Sequence, residues 1–409
     1  MKTDWEQKKL KDIAEYSIGL TYSPKDVSDE GIIVLRSSNI QEGELDLSDL
    51  VRVNKPIKDK LKVREGDILM CSRNGSKRLV GKTATIPNLQ EEMTFGTFMT
   101  VIRSPHNPFL SWFFISDEFR NQINGGENPM INQVTKYMLD EVEVPLPPLS
   151  EQQRIVAILD EAFAAIDKAK ENAQKNLQNA RELFESYLQS VFANPGEGWE
   201  RVKLSDLATD ITDGDHMPPP KSETGVPFIT ISNINKESNK IDFSDTFMVS
   251  PEYYKNLKPN RKPKKGDVLY TVTGSFGIPV IVESDVEFCF QRHIGLIRPK
   301  SQTDSKWLYY LILSPQVFKQ GNDGATGTAQ RTVSLSVLRN FAVPKVPLEE
   351  QQTIVAKLDS LSTETKKLEA IYQQKLTDLD ELKKAILQKA FQGELSTTLA
   401  KTQGVALCD

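Results

Sequence analysis

The sequence predicts an α+β chain: two pseudo-symmetric α/β domains separated by two long antiparallel coiled-coil helices. Three observations predict it. The chain repeats itself, each repeat opens on short apolar runs broken by Gly, Pro, Asn and Ser, and each closes on a long helical pattern.

The repeat is legible residue by residue. Trp5-Glu6, followed by Leu10, Asp12, Ile13 and Ala14, returns as Trp199-Glu200, followed by Leu204, Asp206, Leu207 and Ala208. Ser38-Asn39-Ile40 returns as Ser232-Asn233-Ile234, and Gly66-Asp67-Ile68-Leu69 as Gly266-Asp267-Val268-Leu269. The offset is 194 residues between Trp5 and Trp199 and 199 between Glu151 and Glu350, so small insertions lie inside the units. A duplicated module is a pseudo-dimer, suited to a target with two halves or to two copies of a partner. Residues that recur in both copies, Asn39/Asn233 and Gly66-Asp67/Gly266-Asp267, are expected to be turn and strand-edge residues.

The domain limits expected are 1–149, 150–193, 194–348, 349–393 and a frayed tail at 394–409. Within the first and third, runs such as Ile32–Leu35, Asp67–Met70 and Val226–Ile229 read as short strands, with a helix over Leu110–Asn121 and its counterpart Lys306–Gln320. From Ser150 to Ala193 there is neither Pro nor Gly, and Ser150-x-x-Gln153 has the form of a capping box. The apolar positions Ile155, Leu159, Ala162, Ile166, Ala169, Ala173, Leu177, Ala180, Phe184, Tyr187 and Val191 step by four and three with one stutter at Ala173–Leu177. The second copy, through Ile354, Leu358, Leu361, Thr365, Leu368, Tyr372, Leu376, Leu379, Lys383, Ile386 and Ala390, stutters at the matching place, with Leu382 able to fill the seam beside Lys383. Matched register and stutter predict that the helices, each roughly 60 Å long, pack on each other. A two-fold relation would set them antiparallel, with a globular domain at each end.

Composition narrows the function classes. The 409 residues are 38% hydrophobic and 26% charged, too many residues for one ordinary domain. No run of about 18 apolar residues suggests a membrane span, and the polar start has no signal-peptide core. Cys71, Cys289 and Cys408 lie far apart without C-x-x-C spacing, which argues for a cytoplasmic protein without structural zinc. The net charge of −5 excludes a surface coated in base, though not a local basic patch.

The segments Pro145–Asp160 (PLPPLSEQQRIVAILD) and Val343–Asp359 (VPKVPLEEQQTIVAKLD), Gly19–Ile40 and Asp213–Ile234, Phe288–Pro299 (FCFQRHIGLIRP) and Gly324–Phe341 (GATGTAQRTVSLSVLRNF) resemble the specificity subunits of type I restriction–modification systems. The resemblance covers nearly the whole chain. It implies two target-recognition domains, each reading one half of a split duplex DNA sequence, and a helix pair that sets the spacer between the halves. It also implies docking of two methyltransferase subunits and recruitment of restriction/translocase subunits. The chain itself would then bind no cofactor; S-adenosylmethionine, ATP and Mg would sit on the partners.

With DNA as the implied target, loop residues with polar or cationic ends are the candidate contacts. In the first domain these are Arg73, Asn74, Ser76, Lys77, Arg78 and Lys82, with Asn132 and Gln133, and more weakly Tyr22, Ser23 and Lys25. In the second they are His216, Lys221, Thr273, Ser275, Arg292, His293, Thr328, Gln330 and Arg331. The cluster Lys255, Lys258, Arg261, Lys262, Lys264 and Lys265 suits either phosphates or a solvated turn.

Catalytic patterns are weak. Ser76–Thr83 has Ser where a P-loop needs its first Gly, and Thr83–Pro87 reads as strand and turn where a helix is required. His106-Asn107-Pro108-Phe109 lacks the second Pro of an adenine-methyltransferase motif, and Asp380-Glu381-Leu382-Lys383 lies on the coiled coil. Three isolated His make no metal site. The competing function classes are a duplicated protein-interaction scaffold, a nucleotide hydrolase using Ser76–Thr83, and the specificity subunit of a related two-subunit restriction enzyme.

Overall fold

The computed structural model describes residues 5–124, 133–194, 196–217, 219–328 and 330–395. It comprises two compact units, residues 1–175 with 372–409 and residues 176–371. The repeat is thus built as two bodies, each completed by parts of both long helices, Leu149–Ala193 and Leu348–Phe391.

In the first unit an antiparallel sheet runs in the order Glu15–Ile18, Met99–Arg103, Ile68–Cys71, Thr83–Thr85. Ile68 to Cys71 are all buried, so this strand is covered on both faces and shows no alternation in sequence. A second sheet orders Met93–Phe95, Ile32–Leu35, Arg52–Val53 and Val27–Ser28, the first pair parallel. The strand Glu6–Lys9 pairs antiparallel with Glu143–Leu146, tying the start of the domain to the residues that lead into the first long helix.

The second unit repeats the plan. Ala208–Asp213, Ile294–Pro299, Val268–Thr271 and Pro279–Ile281 form the antiparallel sheet. Phe247–Val249, Val226–Ile229 and Cys289–Phe290 form the mixed one. Glu200–Lys203 pairs with Ala342–Lys345. The close approach of chain segments is repeated too. A Cβ on Gly19 would lie 2.2 Å from the Gly96 carbonyl oxygen, and one on Gly214 1.9 Å from that of Phe290, so neither position accepts a side chain.

The recurrent polar residues are structural. Asn39 accepts from the Arg36 amide at 2.9 Å and donates to the Asp46 and Asp49 carbonyls, while Asn233 accepts from Thr230 and donates to Asp245. Asp67 is buried beneath Arg103, and Asp267 beneath Arg298. Each of these aspartates also accepts the amide three residues before it, at Arg64 or Lys264, just after a positive-φ glycine is needed at 66 or 266 to turn the chain.

Several expected details differ. Each single helix expected after the sheet is two: Asn107–Ile115 with Asp117–Asn124, and Ser305–Leu313 with Pro315–Gly324. The break falls at Ser116 and Ser314, whose hydroxyls bond back to the Phe113 and Leu311 carbonyls, and Pro315 has no amide with which to continue the ladder. The first long helix begins at Leu149, ahead of the expected Ser150 cap. Its lock is Gln152, which is buried, donates to the Pro147 carbonyl at 2.8 Å and bonds His106 Nδ1 at 3.0 Å. Gln351 repeats this with the Val346 carbonyl at 2.7 Å and the Asp304 amide at 2.8 Å.

The seam is antiparallel within each unit. In the first, Ile155, Leu159, Ile166 and Ala169 share one core with Leu379, Leu382, Ile386 and Phe391, and Lys170 pairs with Asp380 while Asp167 pairs with Lys383. Leu382 does fill the position beside Lys383, whose ammonium lies over the Phe163 ring. In the second unit Leu188 and Phe184 meet Ile354, Val355 and Leu358, and Arg181 pairs with Glu369. Leu177 is buried and Leu376 half-buried. Leu368 departs from the expected seam: it is 38% exposed, and Thr365 takes the buried place one turn before it. The expected tail begins with Leu395 packed into the first unit's core; residues 396–409 lie outside the described ones.

Candidate nucleic-acid interface

In the first unit three chain segments meet beyond the end of the strand Ile68–Cys71. The amides of Ser72 and Arg73 both donate to the Phe98 carbonyl, at 2.9 and 3.0 Å, and the Val134 amide donates to the Ser72 carbonyl at 2.7 Å. Arg73 and Gln133 form a bridge, and the buried Ser72 hydroxyl bonds Thr100 at 2.6 Å. The junction joins the loop after one central strand, the turn Gly96–Phe98 before the next, and the segment that enters the helix Lys136–Glu141.

The second unit builds the same junction with two of these amide bonds and the same bridge. Val272 donates to the His293 carbonyl at 2.9 Å, Val333 donates to the Val272 carbonyl at 2.8 Å, and Thr273 bridges Thr332. Backbone pairing therefore equates Arg73 with Thr273, Phe98 with His293 and Gln133 with Thr332. Thr97 falls opposite Arg292. The scaffold is constant and the side chains differ in charge, size and hydrogen-bonding capacity.

Around the first junction Arg73 is exposed and lies over the Phe98 ring at 5.6 Å. Asn74 donates to the Ser37 hydroxyl at 3.1 Å and accepts the Ser76 amide, a self-bonded turn that shapes the loop. Ser76, Lys77 and Arg78 are exposed on the following 3₁₀ turn. Lys82 points elsewhere: half-buried, it donates to the Ile40 carbonyl at 2.6 Å and serves the fold. The strand Thr83–Thr85 follows it, so the Ser76–Thr83 loop lacks the helix of a phosphate-binding loop. Gln133 sits at the junction, and Asn132 lies outside the described residues. Ser23 is exposed, and its amide and hydroxyl donate to the Asp26 carboxylate at 2.7 and 3.0 Å.

Around the second junction Arg292 is exposed and His293 half-buried; burial, and then the charge of Arg292, hold the His293 imidazole below its ordinary pKa. Thr273, at 4% exposure, is interior, and its hydroxyl meets that of Thr332 at 3.4 Å, which corrects its reading as a base contact. Ser275 is exposed and accepts from Lys236 at 2.8 Å. Thr328 and Gln330 are exposed on the loop that crosses the junction. Arg331 lies over the Phe276 ring at 5.8 Å and spends donors on Asn322. His216 bonds Asp213 at 2.9 Å and follows Asp215, whose carbonyl accepts the Arg292 amide at 3.0 Å, and Lys221 lies over Phe247. In the basic cluster, Arg261 is held by Asp213 and Asp215 and Lys262 by the Lys255 carbonyl, whereas Lys255, Lys258, Lys264 and Lys265 are exposed.

Phe98, Thr97 and Thr332 went unnoticed in the sequence. The signal was present for the first two: Phe95-Gly96-Thr97-Phe98 stands in the repeat where Phe290-Gln291-Arg292-His293 stands. Among the described residues no group of three or more His, Cys, Asp or Glu is placed to hold a metal ion, and no helix is long and apolar enough to cross a membrane.

The profile of the type I restriction modification DNA specificity domain matches twice, at residues 2–176 and 196–378, one match to each repeat. The chain belongs to that specificity family. Its role is DNA specificity in a type I restriction–modification system. The specificity subunit is 27% identical over 408 residues to the EcoKI specificity subunit of Escherichia coli K12, covering 92% of this chain and 86% of that one. It is 26% identical to the StySPI specificity subunit of Salmonella potsdam, over 92% and 86% of the two chains. Among solved structures, a chain from a study of complex assembly and conformational transition of the type I R-M system matches with a TM-score of 0.75 at 22% identity, over 96% and 99% of the two chains. The HsdS subunit from Thermoanaerobacter tengcongensis matches at 0.62 and 23%, over 96% and 98%. At such identities these two likenesses concern the fold of the specificity subunit.

Proposed function

We propose that each unit reads one half of a bipartite duplex DNA target through its three-segment junction, and that the chain scaffolds two methyltransferase subunits and the restriction subunits that join them. The observation that carries this reading is the junction built twice on two shared amide bonds and one shared bridge with unlike side chains: Arg73, Phe98 and Gln133 in one unit, Thr273, His293 and Thr332 in the other. A constant frame with exchanged side chains is what reading two different half-sites requires.

Two equivalent partners are supported by an apolar residue exposed at the same point of both repeats. Leu149 and Leu348 open the two long helices and are 57% and 37% exposed. A leucine left in solvent twice at one structural position suits a docking contact made twice. In this reading the chain is non-catalytic and cytoplasmic. S-adenosylmethionine, ATP and Mg act on the partners, which supply adenine methylation and ATP-dependent cleavage.

Methylome sequencing of the host with and without this chain tests the proposal. Loss of adenine methylation at one split motif on deletion is the expected result and yields both half-sites with their spacer. An unchanged methylome in a host whose system methylates would refute it. Binding to a cognate duplex should also fall steeply with salt, because phosphate contacts release counterions; a salt-independent affinity would instead mark a protein-binding scaffold.

A further inference from the structure

We infer that Arg73, held over the ring of Phe98, reads a guanine in the half-site of the first unit. The inference rests on the function proposed above and names one contact within it. Five other arginines of this unit, Arg36, Arg52, Arg64, Arg103 and Arg154, bind carboxylates. The Arg73 side chain makes no hydrogen bond or ion pair to another described residue, so its fork of donors is unspent.

Its placement is nonetheless fixed. The Arg73 amide is bonded to the Phe98 carbonyl, its backbone bridges Gln133, and its guanidinium lies 5.6 Å from the Phe98 centroid. Phe98 is 53% exposed at the tip of its turn, an apolar ring kept in solvent beside a cation. A contact to phosphate is satisfied by any mobile cation and needs no such platform. A planar fork that must meet two acceptors in one plane does. Arginine offers donors only. In the major groove the base edge with two adjacent acceptors is guanine, through O6 and N7, whereas adenine and cytosine present donor groups. In the second unit the equivalent positions hold the buried Thr273 and the half-buried His293, so the requirement for this guanine belongs to one half-site alone. Phe98 is a positioning residue that sets the plane of the fork.

The test uses the full chain purified with its native partners and duplexes carrying the split motif, with each guanine replaced in turn by 7-deazaguanine, which pairs normally but lacks the N7 acceptor. The wild-type complex should lose affinity at one guanine of one half-site by part of the about 5- to 150-fold that a full bidentate contact commands, since O6 still accepts. Arg73→Ala should abolish that sensitivity and the charge-preserving Arg73→Lys should reduce it, both leaving the other half-site's preferences intact. Phe98→Ala should blunt it, and Phe98→Tyr should restore it while a circular dichroism spectrum shows all variants folded. Equal weakening of Arg73→Ala on every duplex, with the 7-deazaguanine effect unchanged, would overturn the inference in favour of a phosphate contact. A wild-type complex with no preference for any split motif would overturn the proposed function as well.

Discussion

Asp267 lies under the Arg298 guanidinium, which donates to it at 2.9 and 2.7 Å and also reaches the Lys262 carbonyl at 2.8 Å. Removing the cation strands a buried carboxylate, which costs more than the pair gains by forming. Arg298→Met should therefore lower stability by about 3 kcal/mol in urea denaturation, and adding Asp267→Leu should recover much of the loss. The same logic holds for Asp67 and Arg103. Burial acts differently on the thiols. It pushes Cys289 up to about 12, with the Asp215 charge adding to it, and raises Cys71 as well. Both should resist iodoacetamide at pH 8 in the native chain and react once urea unfolds it; mass-spectrometric labelling decides, and prompt native labelling of either would contradict the buried setting. At this scale recurrence in the sequence was a sound guide to Asn39, Asn233, Asp67 and Asp267, whose partners are local backbone groups only a few residues away. The polar or cationic character of a loop residue was a poorer guide at Lys82 and Thr273. What those side chains meet, the Ile40 carbonyl and the Thr332 hydroxyl, lies 42 and 59 residues distant.

The long helices show how far periodicity carries. Their existence and register follow from four- and three-residue spacing, because a helix must bury its apolar stripe, and their antiparallel pairing from the two-fold relation of the repeats. Which members of the stripe are buried does not follow. Leu379→Ala should cost about 2–5 kcal/mol, since Leu379 is packed among Ile166, Ala169 and their neighbours. Leu368→Ala, at an exposed position, should shift stability by no more than about 0.5 kcal/mol. Thermal melts of the two variants side by side check the contrast. Each long helix starts one residue before the expected position, for a chemical reason. The capping pattern at Ser150 pointed to a local side-chain cap, but the side chains that lock the starts, Gln152 and Gln351, reach back to carbonyls five residues before them and across to His106 and the Asp304 amide.

For the whole molecule, chain order and structural units do not coincide. The second unit is one continuous stretch, residues 176–371, whereas the first joins residues 1–175 to 372–409. Leu379, Leu382, Ile386, Leu387, Phe391 and Leu395 all enter the first unit's core, with Phe391 in edge contact with Phe109 and Phe113. Truncation after residue 371 should therefore unfold the first unit and spare the second. Hydrogen exchange would show protection lost in the strands Ile68–Cys71 and Met99–Arg103 and kept in Val268–Thr271 and Ile294–Pro299; equal loss in both units would contradict the division. The sequence by itself determined the duplication, the alternation of mixed domain and long helix, the spacing of the apolar seam and the family, because each is written as a period or a recurring word along the chain. Only the tertiary structure decided where each long helix divides between the two units, and that Phe98 stands under Arg73. Both depend on contacts between segments far apart in sequence, where backbone hydrogen bonds and packing, rather than local pattern, select the partner.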